Sequence, residues 1–220
     1  MTRKVFWPEP YRTELETRVH DVRGNVITLE DTIFYAFSGG QESDEGTIGG
    51  RRVREARKAG SDIHYTLDEG HGLTPGEAVT VLIDWERRYR LMRLHFAAEL
   101  VLELVSRRVV GIPKIGAHIA QDKARIDFTY PESISSLLPD ISSQALQVVT
   151  SNVPIISDFS DEAAGIRYWE VEGFARVPCG GTHLRRTGEV GELELKRKNI
   201  GKGKERIEVF LKGGSLASPS

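Results

Sequence analysis

Cysteine is almost missing from this 220-residue chain: Cys179 is the sole example, so no disulfide can form within it. A lone thiol fits a reducing compartment and leaves metal or nucleophile chemistry as its uses. Long apolar runs are missing as well. No stretch reaches the roughly 18 uncharged apolar residues that a membrane-spanning helix needs. The opening segment MTRKVFWPEPYRTELETRV turns charged after two apolar residues and lacks the apolar core of a signal peptide. A cytoplasmic location is therefore expected. Neither sign of charge dominates, with 30 Lys and Arg against 32 Asp and Glu, which argues against a generally basic nucleic-acid binder but leaves room for a local patch. No G-x-x-x-x-G-K-[ST] phosphate loop occurs, so ATP-driven chemistry of that type is not expected.

What remains is an ordinary globular composition, 39% hydrophobic, long enough for one large or two small domains with a proper core. From Arg12 to about Asp84, short apolar runs alternate with Gly, Asp and His and predict strands, among them Val26–Leu29, Ile33–Tyr35 and Ala78–Asp84. Between them Ser38–Gly50 carries five glycines and is expected to be a loop that approaches something closely. The period changes at Trp85. Leu91, Leu94, Ala98, Val101, Leu102 and Val105 recur at three- and four-residue steps, predicting a long amphipathic helix with a charged face. A second helix is predicted from Pro131 to about Thr150, flanked by strands at Ala124–Phe128 and Ile166–Val171. A hairpin follows over Glu192–Lys196 and Arg206–Leu211, and a frayed tail from Gly213 to Ser220. The fold class expected is α+β: a β-barrel-like N-terminal domain over residues 1–90, and an α+β domain with an antiparallel sheet and long helices over residues 91–220.

The chemistry-bearing residues fall into two pairs. Cys179 and His183 enclose Gly-Gly-Thr, a C-x-x-x-H spacing whose donors suit zinc. His95 and Glu99 lie four residues apart on the predicted helix and share a face. Each pair alone has a bland reading, a buried thiol with a surface imidazole, or an edge-of-core histidine beside a solvated carboxylate. Together, on segments about 80 residues apart, they have the form in which tetrahedral sites are commonly assembled.

Three motifs in order carry a resemblance: Phe34-Tyr35-Ala36-Phe37-Ser38-Gly39-Gly40-Gln41-x-x-Asp44-x-Gly46, then Arg93-Leu94-His95, then Cys179-Gly180-Gly181-Thr182-His183-x-x-x-Thr187-Gly188-Glu189. With them the chain resembles the editing domain of alanyl-tRNA synthetase and, more closely, its free-standing relatives, the AlaX trans-editing proteins of medium length, from about Val26 to Leu211. The resemblance implies a metal-dependent deacylase of mischarged tRNA(Ala), chiefly Ser-tRNA(Ala), with Gly-tRNA(Ala) second. It implies zinc held by His95, Cys179 and His183, with Glu99 standing where the family has a second helical histidine. It further implies an active-site place for the Gln41 amide and a Thr32 hydroxyl that reads the serine side chain. Two alternatives stay open: a deacylase for another aminoacyl-tRNA, and a non-catalytic tRNA-binding module with a degenerate site. From His183 to Lys212 nine basic residues face five glutamates, making Arg185, Arg186, Lys198, Lys202 and Lys204 candidate contacts to the acceptor stem, with a solvated hairpin face as the plain alternative. Arg51, Arg52, Arg54, Arg57 and Lys58 form a second basic cluster with the same two readings.

Overall fold

The computed structural model describes residues 2–213, so the tail expected to fray lies, from residue 214 on, outside the described residues. Nine strands come first: β1 (Arg3–Lys4), β2 (Glu14–Arg23), β3 (Val26–Leu29), β4 (Asp31–Thr32), β5 (Gly46–Ile48), β6 (Arg51–Arg52), β7 (Glu55–Ala59), β8 (Asp62–Thr66) and β9 (Ala78–Ile83). Helix α1 (Trp85–Arg108) leads to β10 (Lys114–Ile119) and β11 (Ala124–Thr129), and a 3-10 turn over Ile134–Leu137 to α2 (Leu138–Ser151). Strands β12 (Ile156–Asp161), β13 (Ile166–Val171) and β14 (Ala175–Pro178), a 3-10 turn over Thr187–Val190, and β15 (Leu193–Gly201) with β16 (Lys204–Leu211) complete the chain. The α+β class is as expected.

The described residues divide into two compact units. The first comprises residues 2–38 and 42–89, and the second residues 39–41 together with 90–213. In the first, seven strands run in the order β6-β5-β9-β2-β3-β8-β7. Strand β2 makes this sheet curl into a half-barrel. Its first half, Glu14–Arg18, pairs with β9, its second half with β3, and a bulge between Val19 and Asp21 separates the two. Alternation along the strands buries Leu15, Val19, Ile27, Leu29, Ile63 and Tyr65 in one core and turns the intervening polar residues outward.

Two sequence expectations for this unit need correction. Ile33–Tyr35 is buried but is not a strand. Most of its backbone bonds go to side chains: Phe34 N–H donates to Thr32 Oγ1, Tyr35 N–H to Asp44 Oδ2, and Arg88 Nη2 donates to the Ile33 carbonyl at 2.6 Å, while the Tyr35 carbonyl accepts from Asp44 N–H at 3.0 Å. The apolar content was right and the ladder wrong, because nothing in a hydrophobic run says which group will take its hydrogen bonds. The glycine-rich stretch, in turn, is not loop throughout, since β5 lies within it and pairs with β9.

In the second unit β10-β11-β16-β15 form a four-stranded antiparallel sheet and β12-β13-β14 a three-stranded one. Helix α1 is as long as predicted, but its charged face is interrupted: every residue from Leu91 to Ala98 is buried, Arg93 and His95 included. The second helix is shorter than predicted. Pro139 occupies its first turn instead of Pro131, and a 3-10 turn precedes it, capped by Ser133.

Candidate metal centre

Helix α1 carries His95 and, one turn on, Glu99; the segment after β14 carries Cys179 and His183. One nitrogen, oxygen or sulfur from each of the four lies within 4.8 Å of the others. His95 Nε2 is 3.2 Å from Cys179 Sγ and 3.3 Å from Glu99 Oε2, and His183 Nε2 is 3.5 Å from the same oxygen. Zinc bonds of 2.0 to 2.3 Å arranged tetrahedrally place their donors roughly 3.3 to 3.7 Å apart, so these separations have the length of a coordination edge. Glu99 Oε2 and His183 Nε2 are buried and make no hydrogen bond. Buried polar atoms are normally satisfied, and a shared cation would satisfy both. The residues fit a zinc-like divalent ion.

Local sequence explains how the donors converge. A Cβ at Gly181 would fall on the imidazole of His95 and lie 3.1 Å from Gln41 Oε1, so only glycine lets this backbone pass so close. Cys179 N–H is fixed by the Arg167 carbonyl at 2.9 Å, and Gly181 N–H points at Cys179 Sγ at 3.4 Å. The two imidazoles are held differently. Ser157 Oγ on β12 lies 2.9 Å from His183 Nδ1 and fixes that ring with Nε2 toward Glu99, whereas His95 Nδ1 is buried without a partner.

The cluster's charges reinforce one another. Burial alone would raise the Cys179 thiol, but the His95 imidazole beside it brings it down to about 7. Burial would likewise lower His95 and His183. Glu99 and Cys179 hold His95 well above the usual histidine range, and Cys179 with Glu99 raises His183. Against its own burial, Glu99 is held far below the carboxylate range by His95 and His183. Without a metal these effects draw protons toward the two imidazoles and away from Glu99.

Gln41 joins this cluster. Gly40, at φ +87° and 2.7 Å from the Ala117 carbonyl at its would-be Cβ, lets the loop lie against β10, where Gln41 bridges Ile119. The Gln41 side chain is fully buried, its Nε2 donates to Thr182 Oγ1 at 3.0 Å, and its Oε1 has no partner. Thr32 lies in the first unit, where its fully buried hydroxyl meets Tyr65 Oη at 2.6 Å and accepts from Phe34 N–H.

Among the basic candidates, Arg186 reaches Asn152, the left-handed C-cap of α2, and Glu189 Oε1 accepts from the backbone of both Arg185 and Arg186. The Thr187-Gly188-Glu189 part of the motif thus shapes the segment after His183. Lys198, Lys202 and Lys204 lie on or beside the β15–β16 turn and, among the described residues, their ammonium groups make no hydrogen bond or ion pair. Ser157, Thr182 and Arg167 are site residues that sequence reasoning did not single out. Only Thr182 carried a signal, its place inside the Cys-to-His motif.

This α+β chain thus brings together two buried histidines and a half-buried glutamate and cysteine in a group that could hold a metal ion. Comparison with known proteins narrows this. Residues 166–208 match the family described as threonyl and alanyl tRNA synthetase second additional domain. The alanyl-tRNA editing protein AlaX-M of Pyrococcus horikoshii is 34% identical, across 96% of this chain and 98% of its own length. AlaX-M of Methanosarcina acetivorans is 30% identical across 94% of this chain and 98% of its own. The alanine-tRNA ligase of Ignicoccus hospitalis is 34% identical, with 98% of this chain aligning to 26% of that enzyme. The chain belongs to the AlaX family of alanyl-tRNA editing proteins.

Proposed function

We propose that this protein is a trans-editing hydrolase that deacylates mischarged tRNA(Ala), chiefly Ser-tRNA(Ala) and secondarily Gly-tRNA(Ala), in the cytoplasm, with residues 1–90 as its N-terminal domain and 91–220 as its editing domain. The observation that carries the reading is the convergence of His95, Glu99, Cys179 and His183 within 4.8 Å, three of their contacts at coordination-edge distances. These four would hold zinc. Bound there, the metal would supply Lewis acidity to an ester carbonyl or to water.

The reaction adds water oxygen to the acyl carbon, breaks the ester bond to the terminal ribose, and returns a proton to the ribose oxygen. This chain's own contribution is position. Thr182 holds the Gln41 amide, whose free Oε1 faces the Gly181–His95 wall and can accept a proton-bearing group, either the attacking water or the substrate's ammonium. Lys198, Lys202 and Lys204 supply cations for the acceptor stem, with Arg185 and Arg186 shaping the neighbouring backbone.

Elemental analysis of purified protein should find one zinc per chain, and deacylation should be fast on Ser-tRNA(Ala), slower on Gly-tRNA(Ala) and negligible on Ala-tRNA(Ala). Cys179→Ala should lose both metal and turnover. Binding of tRNA without hydrolysis by the unaltered protein would replace the enzyme with a non-catalytic module.

A further inference from the structure

The outer face of the first unit's half-barrel carries a cavity of about 630 Å³. Its floor follows from register. Asp21 on β2 stands opposite Thr28 on β3, and His64 on β8 stands opposite Arg57 on β7. Because β3 and β8 pair Val26 with Thr66 and Ile27 with Tyr65, Thr28 and His64 fall on one rung, so four strands present Asp21, Thr28, His64 and Arg57 in a row. The β2 bulge adds His20 at the rim.

The hydrogen-bonding capacity of this cavity is unevenly spent. Its carboxylates are occupied: Asp21 accepts from Arg23 at 2.7 Å, and Asp62 accepts from Thr2 N–H at 2.7 Å. Its remaining donors are not. Arg57, His20 and His64 have no side-chain partner among the described residues. Thr28 is about nine-tenths buried, and its hydroxyl has no partner at all. A buried hydroxyl is seldom left so. The four donor-acceptor residues do not form a metal cluster; the only one found among the described residues is that of His95. Free capacity made of a guanidinium, two imidazoles and a hydroxyl matches an oxyanion with several acceptor oxygens, and the volume exceeds a bare phosphate and suits a nucleotide-sized group.

We propose that this cavity binds a phosphate group, with Arg57 as its charged anchor and Thr28, His64 and His20 as directing donors. Two sources share that chemistry: a free nucleotide, and a phosphodiester of the tRNA. The second rests on the proposed function and the first does not.

The test follows the histidine ring signals of the full chain by NMR, assigned with His20→Gln and His64→Gln, during titration with inorganic phosphate and with AMP at constant ionic strength. Both rings should shift saturably, and Arg57→Ala should weaken AMP binding about tenfold, as expected for removal of one charge-assisted hydrogen bond. Binding of a tRNA(Ala) transcript is then measured with Arg57→Ala and with AMP as competitor. Competition, with a salt slope smaller by about 0.7 to 0.9 in the variant, assigns the site to the tRNA backbone. AMP binding without competition assigns it to a free nucleotide. No saturable shift with phosphate or AMP, or equal AMP affinity in Arg57→Ala, overturns the proposal. Hydrolysis of Ser-tRNA(Ala) is measured separately, so a failure of the deacylase reading is recognised as such.

Discussion

Two polar constellations, one buried in the first unit and one half-buried in the second, use their atoms in opposite ways. In the first unit Arg88 and Asp44 are both fully buried as side chains, and their hydrogen bonds are spent inside the protein. Arg88 reaches Asp44, Pro10 and Ile33, while Asp44 also accepts from Tyr35 N–H. In the second unit His95, Glu99, Cys179 and His183 converge within 4.8 Å, three of their contacts at 3.2 to 3.5 Å, with Glu99 Oε2 and His183 Nε2 making no hydrogen bond. The first arrangement is finished by the chain itself and holds structure. The second leaves buried polar atoms without hydrogen bonds, which a bound cation would satisfy. Composition does not separate them, since each places acidic and basic groups in low-dielectric surroundings; satisfaction does.

The sharpest way to break the comparison is to spoil the finished site. Asp44→Ala leaves a buried guanidinium without its carboxylate and should cost about 3 to 5 kcal/mol of unfolding free energy. Cys179→Ala in metal-free protein should cost far less. Equal losses in urea unfolding would erase the distinction. The next effect is on pH. Both imidazoles are raised in the metal-free cluster, so they carry protons that a metal must displace. Zinc affinity should therefore rise with pH through the raised imidazole range, by up to about a hundredfold per pH unit where two protons leave together. The same shifts fix the sign for the metal-free fold: the imidazoles' contribution to stability is full below the ordinary histidine range and fades as pH rises through their raised values. A competition titration against a chromophoric chelator reads the affinity, and a flat profile contradicts the raised imidazoles.

Ser157→Ala sharpens the comparison within the metal site, where only one imidazole is braced. Removing the hydroxyl 2.9 Å from His183 Nδ1 should weaken zinc binding about 10- to 100-fold, with Ser157→Thr largely restoring it. Unchanged affinity in Ser157→Ala would make that hydrogen bond incidental. Thr32→Val probes the first unit again. It strands the fully buried Tyr65 hydroxyl and should cost about 1 to 2 kcal/mol. The family resemblance implies in addition a loss of serine-over-alanine preference. A stability loss with unchanged preference would assign Thr32 to the core alone.

How much of this was legible in the chain follows the same division. The cluster was readable because its donors come as two i,i+4 pairs, one on helix α1, where side-chain direction is local, and one in the Cys-to-His motif after β14. The Cys-Gly-Gly-Thr-His spacing carried Thr182 with it. Ser157 was invisible: a serine in the alternating strand Ile156–Asp161 is what an exposed strand face ordinarily shows. Helix α1 was found from its apolar period, but its all-round burial was not, because Arg93 counts as solvent-facing until a partner is known, here the Val190 carbonyl at 2.8 Å. Ile33–Tyr35 reads as a strand for the matching reason, since its backbone is satisfied by the side chains of Asp44, nine residues on, and of Arg88, from far along the chain. Local patterns announce elements and donor pairs; the residues that complete a polar network at a distance do not announce themselves.

The smallest stability effect is expected at the β15–β16 turn, and there the comparison becomes one of charge already used against charge still available. Arg197 is held by Glu205 and Arg206 by Asp127, each at 2.6 Å, whereas Lys202 and Lys204 are exposed and, among the described residues, unpaired. Reversing Lys202 and Lys204 to Glu should change unfolding free energy by no more than about 0.5 kcal/mol, as surface substitutions do. If these lysines meet the acceptor stem, tRNA affinity should nevertheless fall, more at low salt than at high, with the salt slope reduced by about 0.7 to 0.9 for each phosphate no longer neutralised. Arg197→Glu is the contrasting variant, because it places a like charge against Glu205 and should act first on the hairpin's stability. A salt-independent loss of binding in the lysine variant would mean that the turn contributes shape to the tRNA site and its cations nothing.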